Sequence, residues 1–435
     1  MKKSKFLNIF KSNKENGEEV YLLHSTIRGS MIKAKCPDSR SVVDALESQD
    51  IFEYDEENEF HKALKDTHML VDDNVNEMHL LNYYYFESSR DVLYVIPIVT
   101  RQCNFRCVYC YEEHENKNMN SEIYENLLLA IKKEVEHKRY KFVSVSFFGG
   151  EPLLEFEAIC DFMEKAQNLS LENDFQIYGW ATTNAYSLSL DKLEKLVKLG
   201  VTHYQITVDG LKETHDKNRF LISGGGTWDV IIGNLVDAKN SDLDFNITIR
   251  TNFDSSLAED FERYLEFLSE NFSDDSRFKF HFEAVKNLGI EPDIDIVEQH
   301  QESDATMRMV RLAKKKNLDI QFAWAPFGDM CYASRNSSLV VDTDGTLLKC
   351  TVRIDSPENF VGKLTDNGFE IDDVKICEWT SYNLPKECLN CSILPLCYGR
   401  KCPPTVWGSK ILDPNYCESR ISLYENHLRT LILEG

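Results

Sequence analysis

Six short apolar runs, at residues 92–99, 142–148, 175–181, 201–208, 245–250 and 278–285, are rich in Val, Ile and Phe and read as β-strands. Longer amphipathic stretches separate them. Across residues 120–136, Ile123, Leu127, Ala130, Ile131 and Val135 recur on one helical face while Lys132 and Lys133 fall on another, and residues 155–167 and 191–199 repeat the pattern. Strand and helix in alternation require right-handed crossovers and a parallel sheet, either a partial barrel or an open doubly wound sheet. The pattern is compatible with both, and the expected class is α/β.

The flanks differ. Residues 20–34 have the outline of a β-hairpin around Arg28 and Gly29, followed by helical stretches through Tyr85, and the aromatic run at residues 83–86 reads as core. After about residue 317, cysteines, prolines and turn dipeptides such as Asp344-Gly345 replace the long helical patterns. Three regions are expected: a small N-terminal α+β module over residues 1–90, a core over 91–317, and a metal-organised domain over 318–435. There is no internal repeat beyond the strand–helix alternation and no low-complexity tract.

Composition narrows the classes of function. With 42% hydrophobic and 28% charged residues, the 435-residue chain has the make-up of a folded protein. No apolar run approaches the roughly 20 residues of a membrane span. The start, MKKSKFLNIFKSNKENGEE, turns polar too soon for a signal peptide, so a cytoplasmic location without a membrane partner is expected. A formal charge of −23 repels a phosphate backbone and disfavours nucleic acid, leaving peptides or small molecules as partners. Thirteen cysteines in a reducing compartment point to metal binding or catalysis rather than to disulfides.

Three of them, in Cys103-Asn-Phe-Arg-Cys107-Val-Tyr-Cys110, follow the first expected strand directly, at the carboxyl end where parallel sheets carry their chemistry. Three soft thiolates can wrap three corners of an iron–sulfur cubane and leave the fourth iron open. A zinc site would want four tetrahedral ligands, and the nearest candidate fourth, His114, falls in a charged stretch that reads as solvated.

The triplet resembles the signature of the radical S-adenosylmethionine superfamily, with Tyr109 as the aromatic before the last cysteine. The resemblance implies a partial (β/α)6 TIM-like barrel and a four-iron, four-sulfur cluster on Cys103, Cys107 and Cys110. It also implies S-adenosylmethionine chelated to the open iron and cleaved to a 5′-deoxyadenosyl radical, with electrons from a donor such as flavodoxin or ferredoxin. Phe147-Phe148-Gly149-Gly150-Glu151-Pro152 resembles the family's contact for the methionine amino group: the glycines allow close approach by a ligand and Glu151 supplies an acceptor. Asn184, Thr207, Asp209 and Arg250 resemble positions that hold the ribose and carboxylate, with Thr207 where Ser is commoner. Gly224-Gly225-Gly226 reads as a flexible turn before a helix, because no phosphate-loop lysine accompanies it.

A second set, Cys331, Gly345-x4-Cys350, Cys388-x2-Cys391-x5-Cys397-x4-Cys402 and Cys417, resembles the seven-cysteine SPASM extension, which carries two auxiliary four-iron clusters. The x4 before Cys402 departs from the usual x3. The resemblance assigns Cys388, Cys391, Cys397 and Cys417 to one cluster and Cys331, Cys350 and Cys402 to the other, whose last site falls to Cys377 or to substrate. A pair of zinc ribbons would need two close Cys-x2-Cys knuckles, and only Cys388/Cys391 qualifies.

Two classes within the family fit. Anaerobic sulfatase maturases place an Asp base directly after the Gly-x4-Cys cysteine, where this chain has Thr351. Maturases of ribosomally made peptides install thioether or carbon–carbon cross-links and often begin with a small leader-binding module. Thr351 and the N-terminal module favour the second class, with a leader-bearing precursor peptide as substrate. A non-enzymatic iron–sulfur electron carrier would have no use for Gly149 to Pro152 or Asn184. No catalytic base is identified.

Overall fold

The computed structural model describes residues 1–13, 19–35, 39–49, 51–138, 140–254, 257–285, 294, 302–320, 326–328, 330–380, 384–399 and 414–434. The chain divides into two compact units, one of Met1–Ser89, Ala323–Ser334 and Ser381–Gly435, the other of Arg90–Phe322 and Arg335–Thr380.

In the first unit, β1 (Lys2–Lys3), β2 (Leu7–Asn13), β3 (Glu19–Ser25), β4 (Ser30–Lys35) and β5 (Leu70–Val71) build two antiparallel sheets, β1 with β5 and β2-β3-β4. The expected hairpin is β3–β4, turning at Gly29 with φ of 70°, and the N-terminal strand β2 extends it to three strands. Leu7, Tyr21 and Leu23 from this sheet bury against Val43, Leu46 and Leu64 from the Arg40–Ser48 and Glu59–Asp66 helices. A second cluster joins Phe6, Leu81 and Tyr85 to Phe327, Cys388 and Tyr398, and the Tyr85 and Tyr398 rings stack with centroids 4.3 Å apart. Of the aromatic run at 83–86, only Tyr85 is core; Tyr83 and Phe86 are exposed, because a helical turn carries successive residues around its axis.

The second unit is built on one ten-stranded sheet. Its strands are β6 (Val92–Thr100), β8 (Phe142–Gly149), β9 (Gln176–Thr183), β10 (Val201–Thr207), β12 (Asn246–Phe253), β13 (Phe278–Ala284) and, on the far side of β6, β14 (Ser338–Val341), β15 (Thr346–Leu348), β16 (Phe360–Thr365) and β17 (Gly368–Ile371). A separate ribbon pairs β7 (Phe105–Cys107) with β11 (Arg219–Leu221). All six expected strands are present and parallel, and they lie side by side in sequence order without the reversal that marks a doubly wound sheet. That order selects the partial barrel over the open alternative.

Burial alternates along the later strands. Ile247, Ile249 and Phe253 of β12 and Phe278, Phe280 and Phe282 of β13 are buried, while Thr248, Arg250, Asn252, His281 and Glu283 take the intervening positions. A parallel sheet covered on both faces would be apolar throughout. Here one face is left polar, as a site requires. Among the described residues, no helix is long and apolar enough to cross a membrane.

Candidate active site

A cleft of about 440 Å³ opens at the carboxyl ends of the barrel strands, and Cys103, Cys107 and Cys110 line it together with Gly149, Gly150, Glu151, Asn184, Thr207 and Arg250. They come from the segment after β6, the end of β8, the turn after β9, the end of β10 and from β12. The chain leaves β6 at Thr100, runs through Cys103 into β7 and turns so that the Cys110 N–H bonds the Cys107 carbonyl at 3.1 Å.

Gly149 and Gly150 are required by the chain itself. A Cβ on Gly149, whose φ is 130°, would strike the Thr100 carbonyl oxygen, and one on Gly150 would strike that of Gln102. The Gly150 N–H bonds Thr100 O at 3.0 Å and the Glu151 N–H bonds Gln102 O at 2.8 Å, so the glycine pair lets the cysteine loop lie flat against the end of β8. Both glycines also line the cleft, where the close approach of a ligand is expected.

Glu151 is fully buried, and burial raises its pKa while three donors oppose the rise. Oε1 accepts from Thr183 Oγ1 at 2.6 Å and the Leu153 N–H at 2.9 Å; Oε2 accepts from the Asn184 N–H at 2.7 Å. Most of its acceptor capacity is spent joining β8 to β9. Asn184 Nδ2 in turn donates to Asn104 Oδ1 at 2.8 Å, tying the end of β9 to the cysteine loop.

Tyr109 and Asp209 form a buried pair: the phenol donates to Asp209 Oδ2, and Asp209 Oδ1 accepts the Asn252 N–H at 2.8 Å. Burial raises the pKa of both groups. Tyr109 lines the cleft and Asp209 bonds it, but neither Asp209 nor Pro152 is among the lining residues.

Glu112, Asn252 and Glu283 line the cleft though the sequence reading did not single them out, and His114, read there as part of a solvated stretch, lines it too. Glu112 lies in the cleft with its pKa pushed up to about 7 by burial, and His114 Nε2 sits 3.9 Å from Cys110 Sγ, its pKa lowered by burial. The charged run Glu112 to Lys117 resembles a solvated loop, and nothing in its composition shows that it folds inward. Asn252 and Glu283 follow from strand alternation once Arg250 is placed, being two residues on and in register on the neighbouring strand.

Burial pushes the Cys103 thiol up to about 12 and the Cys110 thiol up to about 11, and it raises Cys107 as well. Loading a metal therefore displaces protons from all three. Among the described residues, no three His, Cys, Asp or Glu side chains converge tightly enough for a single metal ion. A cluster's ligands bind separate irons, and the three thiols line one cleft. The donor set fits a four-iron, four-sulfur cluster with one open iron.

Of the second cysteine set, Cys388, Cys391, Cys397 and Cys417 come together in the first unit. Burial pushes the Cys388 thiol up to about 12, and the other three thiols add to the shift. Cys331 belongs to that unit and Cys350 to the other, where the Asn359 carboxamide oxygen accepts the Cys350 N–H at 2.9 Å. Thr351, beside it, lines the cleft. Cys377 stands exposed on the Asp373–Thr380 helix, and Cys402 lies outside the described residues.

Residues 97–268 match the Radical SAM superfamily. The GTP 3′,8-cyclase of Clostridium botulinum is 32% identical over 148 residues, 32% of this chain and 40% of its own length, so the chain spans about two-fifths of that curated relative. Among solved structures, anSMEcpe with bound AdoMet and Cp18Cys peptide matches 78% of this chain and 98% of its own at 19% identity, with a TM-score of 0.60. Streptococcus suis SuiB bound to precursor peptide SuiA matches 94% of this chain and 97% of its own at 14% identity, with a TM-score of 0.55. Residues 97–268 thus match a radical SAM domain, a family that implies S-adenosylmethionine and a four-iron cluster, and the fold of the chain resembles that of anSMEcpe and SuiB.

Proposed function

We propose that this chain binds S-adenosylmethionine on a cluster held by Cys103, Cys107 and Cys110 and installs a thioether or carbon–carbon cross-link in a ribosomally made precursor peptide. The observation that carries the reading is a single cleft that gathers the three cysteines with Gly149, Gly150, Asn184, Thr207 and Arg250 from five strand ends. Bound to such a cluster, S-adenosylmethionine supplies a 5′-deoxyadenosyl radical that abstracts hydrogen from carbon.

The chain's own residues supply the rest. Thr207 offers a hydroxyl and Arg250 a cation for the polar groups of the bound nucleoside and carboxylate. Cys388, Cys391, Cys397 and Cys417 are proposed to hold one auxiliary cluster and Cys331, Cys350 and Cys402 part of another, which would accept the electron left when a substrate radical closes its new bond. Flavodoxin or ferredoxin would feed the first. The N-terminal module is proposed to recognise the leader; SuiB, solved with its precursor peptide, matches nearly the whole of this chain, module included.

The test is anaerobic incubation of reconstituted protein with S-adenosylmethionine, a reductant and a precursor peptide encoded beside the gene. The expected result is 5′-deoxyadenosine together with loss of two hydrogens from the peptide per link. Unmodified peptide despite 5′-deoxyadenosine formation would reject the cross-linking reading. Formylglycine formation in a sulfatase is the second reading, favoured by the likeness to anSMEcpe and opposed by Thr351, which is a poor base where that class has Asp. A sulfatase peptide offered in parallel separates the two.

A further inference from the structure

The segment after β10 contains His215, Asp216, Arg219 and the run Gly224-Gly225-Gly226, which the proposed chemistry does not use. It folds back as β11 and pairs antiparallel with the cysteine segment β7: Arg219 opposite Cys107, Phe220 opposite Arg106 and Leu221 opposite Phe105. Hydrogen bonds continue past both ends, from the Val108 N–H to Asn218 O at 3.0 Å and from the Ile222 N–H to Asn104 O at 2.9 Å. The main chain from Asn104 to Val108 is thereby strapped along its length.

The strap has its own anchor. Asp216 Oδ1 accepts the N–H groups of Thr227 and Trp228 at 2.7 and 2.9 Å, and a Cβ on Gly226 would overlap that carboxylate. The Asp209 N–H bonds His215 Nδ1 at 3.2 Å, which leaves Nε2 to donate to Thr227 Oγ1 at 3.1 Å; that hydroxyl then donates to Arg219 O at 2.6 Å. Every donor in this chain meets an acceptor, so it holds one geometry.

The Arg219 guanidinium is enclosed beneath the cysteines. Nη1 donates to Tyr109 OH at 2.8 Å, Nε lies 4.0 Å from Asp209 Oδ2 without a hydrogen bond, and the group sits over the Phe105 ring at 5.8 Å. Burial opposes its charge, but Cys107, Tyr109 and Asp209 around it raise its pKa well above the ordinary guanidinium value. It is a fixed cation lining the same cleft as Cys107.

We propose that Arg219 is a positioning residue for the iron–sulfur site, its backbone strapping Cys107 in register and its buried guanidinium stabilising the more negative, reduced form of the cluster. The inference rests on the reading that Cys103, Cys107 and Cys110 carry that cluster. A cation in a low-dielectric wall favours electron uptake nearby, so its removal lowers the potential.

The test uses the full, reconstituted chain and its Arg219→Met and Arg219→Lys variants, titrated under redox control by electron paramagnetic resonance. The signal followed is the one that changes on adding S-adenosylmethionine. Arg219→Met is expected to lower its midpoint and Arg219→Lys to hold it close to the parent; an unshifted Arg219→Met midpoint overturns the electrostatic role. A parent protein with no such signal refutes the cluster reading instead. The strap is tested separately in cluster-free protein with Thr227→Val, where amide exchange across residues 104–108 is expected to quicken about tenfold while the rest of the barrel is unchanged. Unaltered exchange there overturns the strap, whether or not Arg219→Met folds.

Discussion

Thr183 Oγ1 donates to Glu151 Oε1 at 2.6 Å, fastening the end of β9 to the turn after β8. With the Leu153 and Asn184 N–H groups, it makes Glu151 an acceptor for three donors and a donor to none. Glu151→Gln puts an amide where only acceptors fit, so in either orientation one buried donor faces another. The expected loss is about 2–4 kcal/mol, measured by denaturant unfolding of cluster-free protein. A midpoint within error of the parent would show that the three donors do not depend on the carboxylate.

Arg101, two residues before Cys103, grips the buried Asp342 through Nε to Oδ1 at 3.1 Å and through Nη2 to Oδ2, while Nη1 reaches Glu115 at 2.9 Å and Asp355 at 2.7 Å. Arg101→Met strands a buried carboxylate and is expected to cost about 3 kcal/mol. Asp355, 65% exposed, is screened, and Asp355→Asn is expected to cost less than about 1 kcal/mol. Unfolding curves for both variants check the order. Equal losses would mean that the three carboxylates share the guanidinium evenly.

Gly150→Ala drives a methyl group into the backbone of Gln102, which has no flexible end to yield. The loop must lift from β8, carrying Cys103 with it. Iron and sulfide content after reconstitution is expected to fall by about one cluster per chain, while Gly233→Ala, where a Cβ meets open space, is expected to retain full content. Full loading of Gly150→Ala would rule out the close-packing role.

The six parallel strands were legible as short apolar runs, while the partial barrel was implied by the resemblance that the cysteine triplet carries and not by the strand pattern, which fitted an open sheet as well. The β7–β11 ribbon was not legible, since three residues carry no period and their partners lie more than a hundred positions away. His215 and Arg219 carry no signal of their role in the sequence, because that role is to hold another segment and becomes visible only with the pairing. Glu112 and His114 were hidden for a different reason: a run of charged residues has the composition of a solvated loop even where the backbone turns it inward. Glu151 lines the cleft, and its bonds from Thr183 and Asn184 were not legible because those donors stand at the end of β9, more than thirty positions on.

His24 on β3 gives the first unit a dependence on pH. Its ring is buried, Nδ1 meets Tyr424 OH at 2.7 Å, Nε2 has no partner, and burial pulls its pKa down to about 4. In the unfolded chain the same group titrates near 6.5, so between about pH 6.5 and pH 4 the unfolded state binds a proton that the folded state refuses. Stability on this account is full above pH 6.5 and declines as pH falls toward 4, by up to about 3 kcal/mol. His24→Phe forfeits the bond to Tyr424 but cannot titrate, so it is expected to be less stable at pH 7.5 and to lose less than the parent on acidification. Denaturant midpoints at pH 7.5, 6, 5 and 4.5 for both proteins give the difference in slope, and parallel curves would mean that the His24 ring is open to protons in the folded chain.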